Sequence, residues 1–220
     1  MKVTDNVYAY IWNGVFENNC NSFYFGEPFN MLFDPGLKNY TDTLLKLMEQ
    51  DGVDIETISF VINTHSHPDH FDGSVNFTKY GIPAGMHKEE IKFLNETGPL
   101  FYQMMGMQFP EIKFEIEMEE GYLDIGEHKL EVYKTPGHSP ASSCIYWREK
   151  KVLVCGDLIF NNSFGRFDFP GGSAAQLKES IMRISELDIE YLLPGHMDIV
   201  AGKENVQKNF EAVQQYFNLF

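Results

Sequence analysis

Apolar side chains fall in short runs along the first part of the chain. Residues 7–12 and Ser22–Phe25 read as strands. Between Thr41 and Gln50 the period changes. Leu44, Leu45, Leu47 and Met48 make the stripe of an amphipathic helix, with Gly52 as its stop. Strand patterns return at 58–62 and 129–134, and in Val152-Leu153-Val154 and Tyr191-Leu192-Leu193. Ser173 is placed to cap a helix whose Leu177, Ile181 and Ile184 share one face, and 205–220 reads as a terminal helix.

The ends of these strands carry the chemistry. Thr64-His65-Ser66-His67-Pro68-Asp69-His70 follows the run 58–62 and sets three imidazoles and a carboxylate close together. Imidazole nitrogen and carboxylate oxygen suit zinc, iron or manganese, and the absence of thiolates from the cluster disfavours a structural zinc site of the cysteine type. On a turn leaving a strand, His65 and His67 face the same way while Asp69 and His70 continue round the bend. One turn therefore offers donors for two ions, and further donors must come from elsewhere. Three later segments place a glycine and then a ligand-type side chain after a strand: Gly137-His138, Gly156-Asp157 and Gly195-His196. Glycine allows a sharp turn at a strand end, which is where open α/β sheets place their sites.

The order H-x-H-x-D-H, Gly-His, Gly-Asp, Gly-His resembles the metallo-β-lactamase fold superfamily of metal-dependent hydrolases, and the likeness covers almost the whole chain, from Met31-Leu32-Phe33-Asp34-Pro35-Gly36, similar to the family's first motif of a strand ending in an aspartate, through Gly202-Lys203-Glu204-Asn205. That resemblance implies an α/β fold: an αββα sandwich of two mixed β-sheets with helices on both outer faces. It implies two divalent metal ions, zinc first and iron or manganese as alternatives. His65, His67 and His138 would hold one ion, Asp69, His70 and His196 the second, and Asp157 would bridge them. Asp34 and Asp69 would orient metal-bound water or the ligating histidines, a role that commonly changes metal affinity or activity by about 10- to 100-fold.

Composition narrows the branch. With 220 residues and 43% hydrophobic content the chain reads as one domain over 1–220, without linker, repeat, membrane span or signal peptide. Cys20, Cys144 and Cys155 include no C-x-x-C pair and leave an odd count, which favours a reducing cytoplasm; Cys155, among apolar neighbours, reads as a buried small hydrophobe. A net charge of −15, from 17 basic and 32 acidic residues, disfavours nucleic acid as a partner and leaves a small-molecule substrate. The bridging aspartate disfavours true β-lactamases, which lack it in this family.

The segment 160–172 is similar to the loop of glyoxalase II enzymes and of the related persulfide dioxygenases, where a basic residue at the position of Arg166 contacts the glutathione part of the substrate. The residues themselves leave two roles open for Arg166: binding a substrate carboxylate, or bracing the loop through Asp168. The chain resembles the short glyoxalase II form, without an added C-terminal helical region. The expected activity is hydrolysis of a thioester or ester by a metal-bridging hydroxide, with a thiolate leaving group of pKa about 8.5. The alternatives are a persulfide dioxygenase using one iron on His65, His138 and Asp157, and a non-catalytic metal-binding protein. The flexible apolar stretch 94–114, rich in methionine and aromatic residues, has three roles open to it: core packing, a lid, or a homodimer interface. His87 and His128 lie outside the ligand pattern.

Overall fold

The computed structural model describes residues 1–14, 17–104 and 106–217. The chain divides into two compact units, Met1–Met118 and Glu119–Phe220. The first holds seven strands: β1 (Lys2–Thr4), β2 (Val7–Tyr10), β3 (Ser22–Phe25), β4 (Met31–Phe33), β5 (Phe60–Ile62), β6 (Ala84–His87) and β7 (Ile116–Met118), neighbours in that order. Pairing is antiparallel from β1 to β4 and parallel from β4 to β7, so the sheet is mixed.

Helices α1 (Thr41–Gln50), α2 (Pro68–Phe71), α3 (Ser74–Lys79) and α4 (Lys88–Met104) belong to the same unit. The α1 limits are those the periodicity predicts. Leu44 and Met48 are buried against Leu32, Val61 and Phe77, Leu45 and Leu47 are partly buried at the same cluster, and Gly52 takes the left-handed φ of +77° after the helix end.

Of the three roles open to 94–114, core packing is the one seen in the first unit. The first part of this stretch is the C-terminal portion of α4, which continues through Pro99 because one face, Glu90, Leu94, Gly98 and Tyr102, is buried at a spacing of four residues. Leu94 and Tyr102 pack with Phe71 and Met86, and Met107, Phe109, Ile112 and Phe114 close over them. Tertiary packing of this kind outweighs the helix-breaking tendency of Gly98-Pro99. Met105 lies outside the described residues.

The second unit holds β8 (Gly121–Ile125), β9 (His128–Lys134), β10 (Ser143–Trp147), β11 (Val152–Gly156), β14 (Tyr191–Pro194) and β15 (Val200–Ala201) in one mixed sheet of order β15-β14-β11-β10-β9-β8. Strands β12 (Ile159–Phe160) and β13 (Ser163–Phe164) form a separate ribbon. Ser173 caps α5 (Ala174–Ile184) by accepting from the Gln176 amide, and Leu177, Ile181 and Ile184 are all buried. Helix α6 (Lys203–Phe217) adds Val206, Phe210 and Val213 to their cluster with Leu153 and Leu192. Residues 218–220 of the terminal helix predicted over 205–220 lie outside the described residues. Full burial of each such aliphatic side chain stabilises by about 1.5–3 kcal/mol. Among the described residues no helix is long and apolar enough to cross a membrane.

Candidate functional site

Parallel pairing is what gathers the ligand-type side chains within each unit. In the first, β4 and β5 run parallel with Phe33 opposite Ile62, so Asp34 and the Asn63-Thr64-His65 turn leave the sheet side by side. Asp34 is fully buried and takes the left-handed φ of +47°, which aims its carboxylate at that turn. Oδ1 accepts from the Thr64 amide at 2.7 Å and Oδ2 from the Thr64 hydroxyl at 2.7 Å. Nδ1 of His70 stands 2.9 Å from the same Oδ2, and Nδ1 of His65 stands 3.0 Å from the Thr64 hydroxyl.

The turn therefore arrives with its imidazoles gathered. Ring centroids of His65 lie 4.8 Å from His67 and 4.1 Å from His70. Donor atoms of Asp69 and His70 come within 4.8 Å of each other. His65, His67 and His70 are buried and Asp69 is half-buried.

In the second unit the parallel pair is β11 and β14, with Gly156 opposite Pro194 and the Gly195 amide donating to the Gly156 carbonyl at 2.8 Å. Asp157 and His196 thus follow adjacent strand ends. His138 reaches them from the turn after β9, where Gly137 has a φ of +133° and any Cβ would lie 2.2 Å from the Leu177 nitrogen. One oxygen of Asp157, Oδ2, lies 3.5 Å from Nε2 of His138 and 3.6 Å from Nε2 of His196. Donor atoms sharing a tetrahedral ion at bonds of about 2.0–2.1 Å stand roughly 3.3–3.4 Å apart. The observed separations are close to that value and long for hydrogen bonds.

The hydrogen-bond partners of three imidazoles set which nitrogen carries the lone pair. Nδ1 of His138 donates to the Arg166 carbonyl at 2.6 Å, Nδ1 of His70 donates to the Asp34 carboxylate, and Nδ1 of His65 donates to the Thr64 hydroxyl, whose own proton goes to Asp34. In each ring Nε2 is left as the acceptor nitrogen, the form a cation needs, oriented by a partner behind it. The donor set and its tautomers suit a divalent metal.

Arg166 presents its backbone to His138 and its side chain to Asp168: Nε to Oδ1 at 2.9 Å and Nη2 to Oδ2 at 2.8 Å, with the guanidinium over the Phe169 ring. The loop-bracing contact is thus present, and the Arg166 guanidinium holds the Asp168 carboxyl down to about 2. Cys155 is buried, with Sγ 3.3 Å from the Ile159 carbonyl, and desolvation keeps its thiol well above the ordinary value. His87 is buried in β6 and accepts from the Glu89 amide, whereas His128 is exposed. Glu90 escaped the sequence reading: its buried carboxylate accepts from the Ser66 amide and hydroxyl, between His65 and His67.

Residues 15–196 match the metallo-beta-lactamase superfamily. The chain is 32% identical over 176 residues to the probable metallo-hydrolase MJ0888 of Methanocaldococcus jannaschii, across 77% of this chain and 84% of that protein. It is 28% identical over 172 residues to the hydroxyacylglutathione hydrolase GloC of Haemophilus influenzae, across 76% and 78% of the two. Similar solved structures include TTHA1623 in a di-iron-bound form, at 28% identity and a TM-score of 0.70 over 84% of this chain and 91% of that one. The BLEG-1 B3 metallo-beta-lactamase is similar at 25% identity and a TM-score of 0.74, over 92% and 95%. Two mixed sheets with helices are the fold these proteins share. The chain belongs to the metallo-β-lactamase superfamily, whose members include metallo-hydrolases and glyoxalase II-like enzymes.

Proposed function

We propose that the protein is a metal-dependent hydrolase of thioesters or esters, with a hydroxyacylglutathione-like thioester as the first substrate class to test. The observation that carries this reading is the single Asp157 oxygen set between the His138 and His196 imidazoles, the arrangement of a carboxylate that joins two cation sites. In this reading His65, His67 and His138 would hold one cation and Asp69, His70 and His196 the other, with Asp157 able to serve either. When bound, such a pair supplies Lewis acidity toward a substrate carbonyl and acidifies water to near-neutral pKa.

The chain's own residues do the rest. Asp34 holds His70 directly and His65 through Thr64, and the Arg166 carbonyl holds His138. Asp69, whose carboxylate lies close to His70, would orient the reacting water there. A substrate carboxylate that reaches the Arg166 guanidinium must displace Asp168, so we assign Arg166 a binding role that opens only on that exchange. The likeness to a protein named hydroxyacylglutathione hydrolase supports the substrate class.

A panel of thioesters, simple esters and a β-lactam, each followed by product release with and without chelator, tests the proposal. Chelator-sensitive thioester or ester turnover is expected. Oxygen uptake with a glutathione persulfide, and no hydrolysis, would replace it with the dioxygenase reading on His65, His138 and Asp157.

A further inference from the structure

Glu90 lies in the first turn of α4 with its carboxylate fully buried. A buried carboxylate is costly unless donors surround it, and here one oxygen, Oε1, accepts twice from Ser66: 2.6 Å from the hydroxyl and 3.1 Å from the backbone amide. Ser66 is the residue between His65 and His67. The same helix meets the turn again at Phe101, whose ring stacks on His67 with centroids 5.7 Å apart and planes 22° from parallel. Helix α4 is itself fixed, because Leu94, Gly98 and Tyr102 continue the buried face on which Glu90 lies. A Cβ on Gly98 would come 2.6 Å from the Phe109 ring, so this face is held at close range.

We infer that Glu90 is a positioning residue for cation binding: it clamps Ser66 to α4 so that the His65 and His67 imidazoles are held as a ligand pair before a cation arrives. Glu90 acts on the ligand pair through Ser66 and is not one of the ligand-type side chains that cluster for a cation. Without the clamp, the turn must lose its added freedom on binding, and affinity falls. The inference rests on the metal-binding part of the proposed function and is independent of the substrate. A protein that binds cations and hydrolyses no thioester would end the substrate proposal and leave the role of Glu90 open to the same test.

The test loads wild type, E90A, E90Q, S66A and the S66A/E90A double variant with Zn²⁺ and withdraws the metal with a chromophoric chelator, with circular dichroism of each loaded protein as the check on folding. E90A is expected to lower affinity for at least one equivalent by about 10- to 100-fold. E90Q, whose amide oxygen still accepts from Ser66, recovers most of that loss. S66A weakens binding severalfold, and the double variant is no weaker than E90A, because both changes remove one interaction. Wild-type affinity in E90A, or a loss that Gln does not recover and that adds to the S66A loss, overturns the inference. Should E90A fail to fold, S66A with undiminished affinity overturns it in the same way.

Discussion

Nδ1 of His70 stands 2.9 Å from Oδ2 of Asp34, and both residues are fully buried. The same oxygen takes the Thr64 hydroxyl proton at 2.7 Å, and that hydroxyl faces Nδ1 of His65. One carboxylate therefore orders two imidazoles that enter from different points of a single turn. The left-handed backbone of Asp34 is the local strain that makes this aim available.

Replacing Asp34 by Ala strips the partner from the Thr64 amide, the Thr64 hydroxyl and the His70 ring. Each buried donor left unmatched costs about 1–3 kcal/mol, and metal affinity falls by about 10- to 100-fold. D34N keeps the volume and part of the acceptor capacity, so it sits between Ala and wild type. Chelator competition and thermal unfolding of the loaded proteins check both effects; equal affinity in D34A and wild type would remove Asp34 from the site.

Gly165 is required by proximity. A Cβ there would lie 1.8 Å from the Asp157 carbonyl oxygen and 3.2 Å from Nδ1 of His138. G165A must push the loop off both residues, and with it the Arg166 carbonyl that orients His138. Turnover is expected to fall at least about 100-fold, since displacements near 1 Å in a site cost on that order. Helical circular dichroism should largely persist, because α5 and α6 share a buried cluster with Leu153 and Leu192 in which Phe164, beside this loop, is a peripheral member. Wild-type turnover in G165A would show that the loop does not set the ligand geometry.

Much of this was legible in the sequence, and for a physical reason. Strand, turn residue and ligand occur together because parallel neighbours deliver their C-terminal ends to one edge, so Asp34 with His65, and Asp157 with His196, announce themselves by position alone. The helices α1 and α5 were equally plain, since a stripe and the Gly52 stop mark the first and a stripe and the Ser173 cap mark the second. Glu90 was not. Its only signal is a spacing of four from Leu94, Gly98 and Tyr102, and Gly98-Pro99 hid the helix that gives the spacing meaning. The engagement of the Arg166 side chain was likewise undecided, because Asp168 and an incoming carboxylate are equivalent partners for a guanidinium until the loop geometry is known.

Glu131 in β9 supplies a pH dependence away from the ligands. Its carboxylate accepts from Arg148 through Nε and Nη2 and from the Tyr133 hydroxyl at 2.6 Å. The Arg148 guanidinium holds the carboxyl below the ordinary carboxylate range. The folded state thus binds this proton less tightly than the unfolded chain, whose value is about 4.3. The resulting stability is present above that pH and is lost as pH falls through the lower folded value. Because Arg148 is more than half-exposed, solvent screening limits the effect to about 1 kcal/mol. E131Q should unfold at lower denaturant concentration than wild type at neutral pH, with the gap narrowing below about pH 4. A gap that widens in acid would contradict the sign.

The most direct test of the central claim is metal content measured together with thioester turnover on one preparation, purified without added metal, then stripped and reloaded. About two equivalents of zinc, iron or manganese per chain, with turnover lost on stripping and restored on reloading, is the predicted result. Thioester turnover that survives complete removal of metal, or a protein that takes up no divalent cation, would contradict the account.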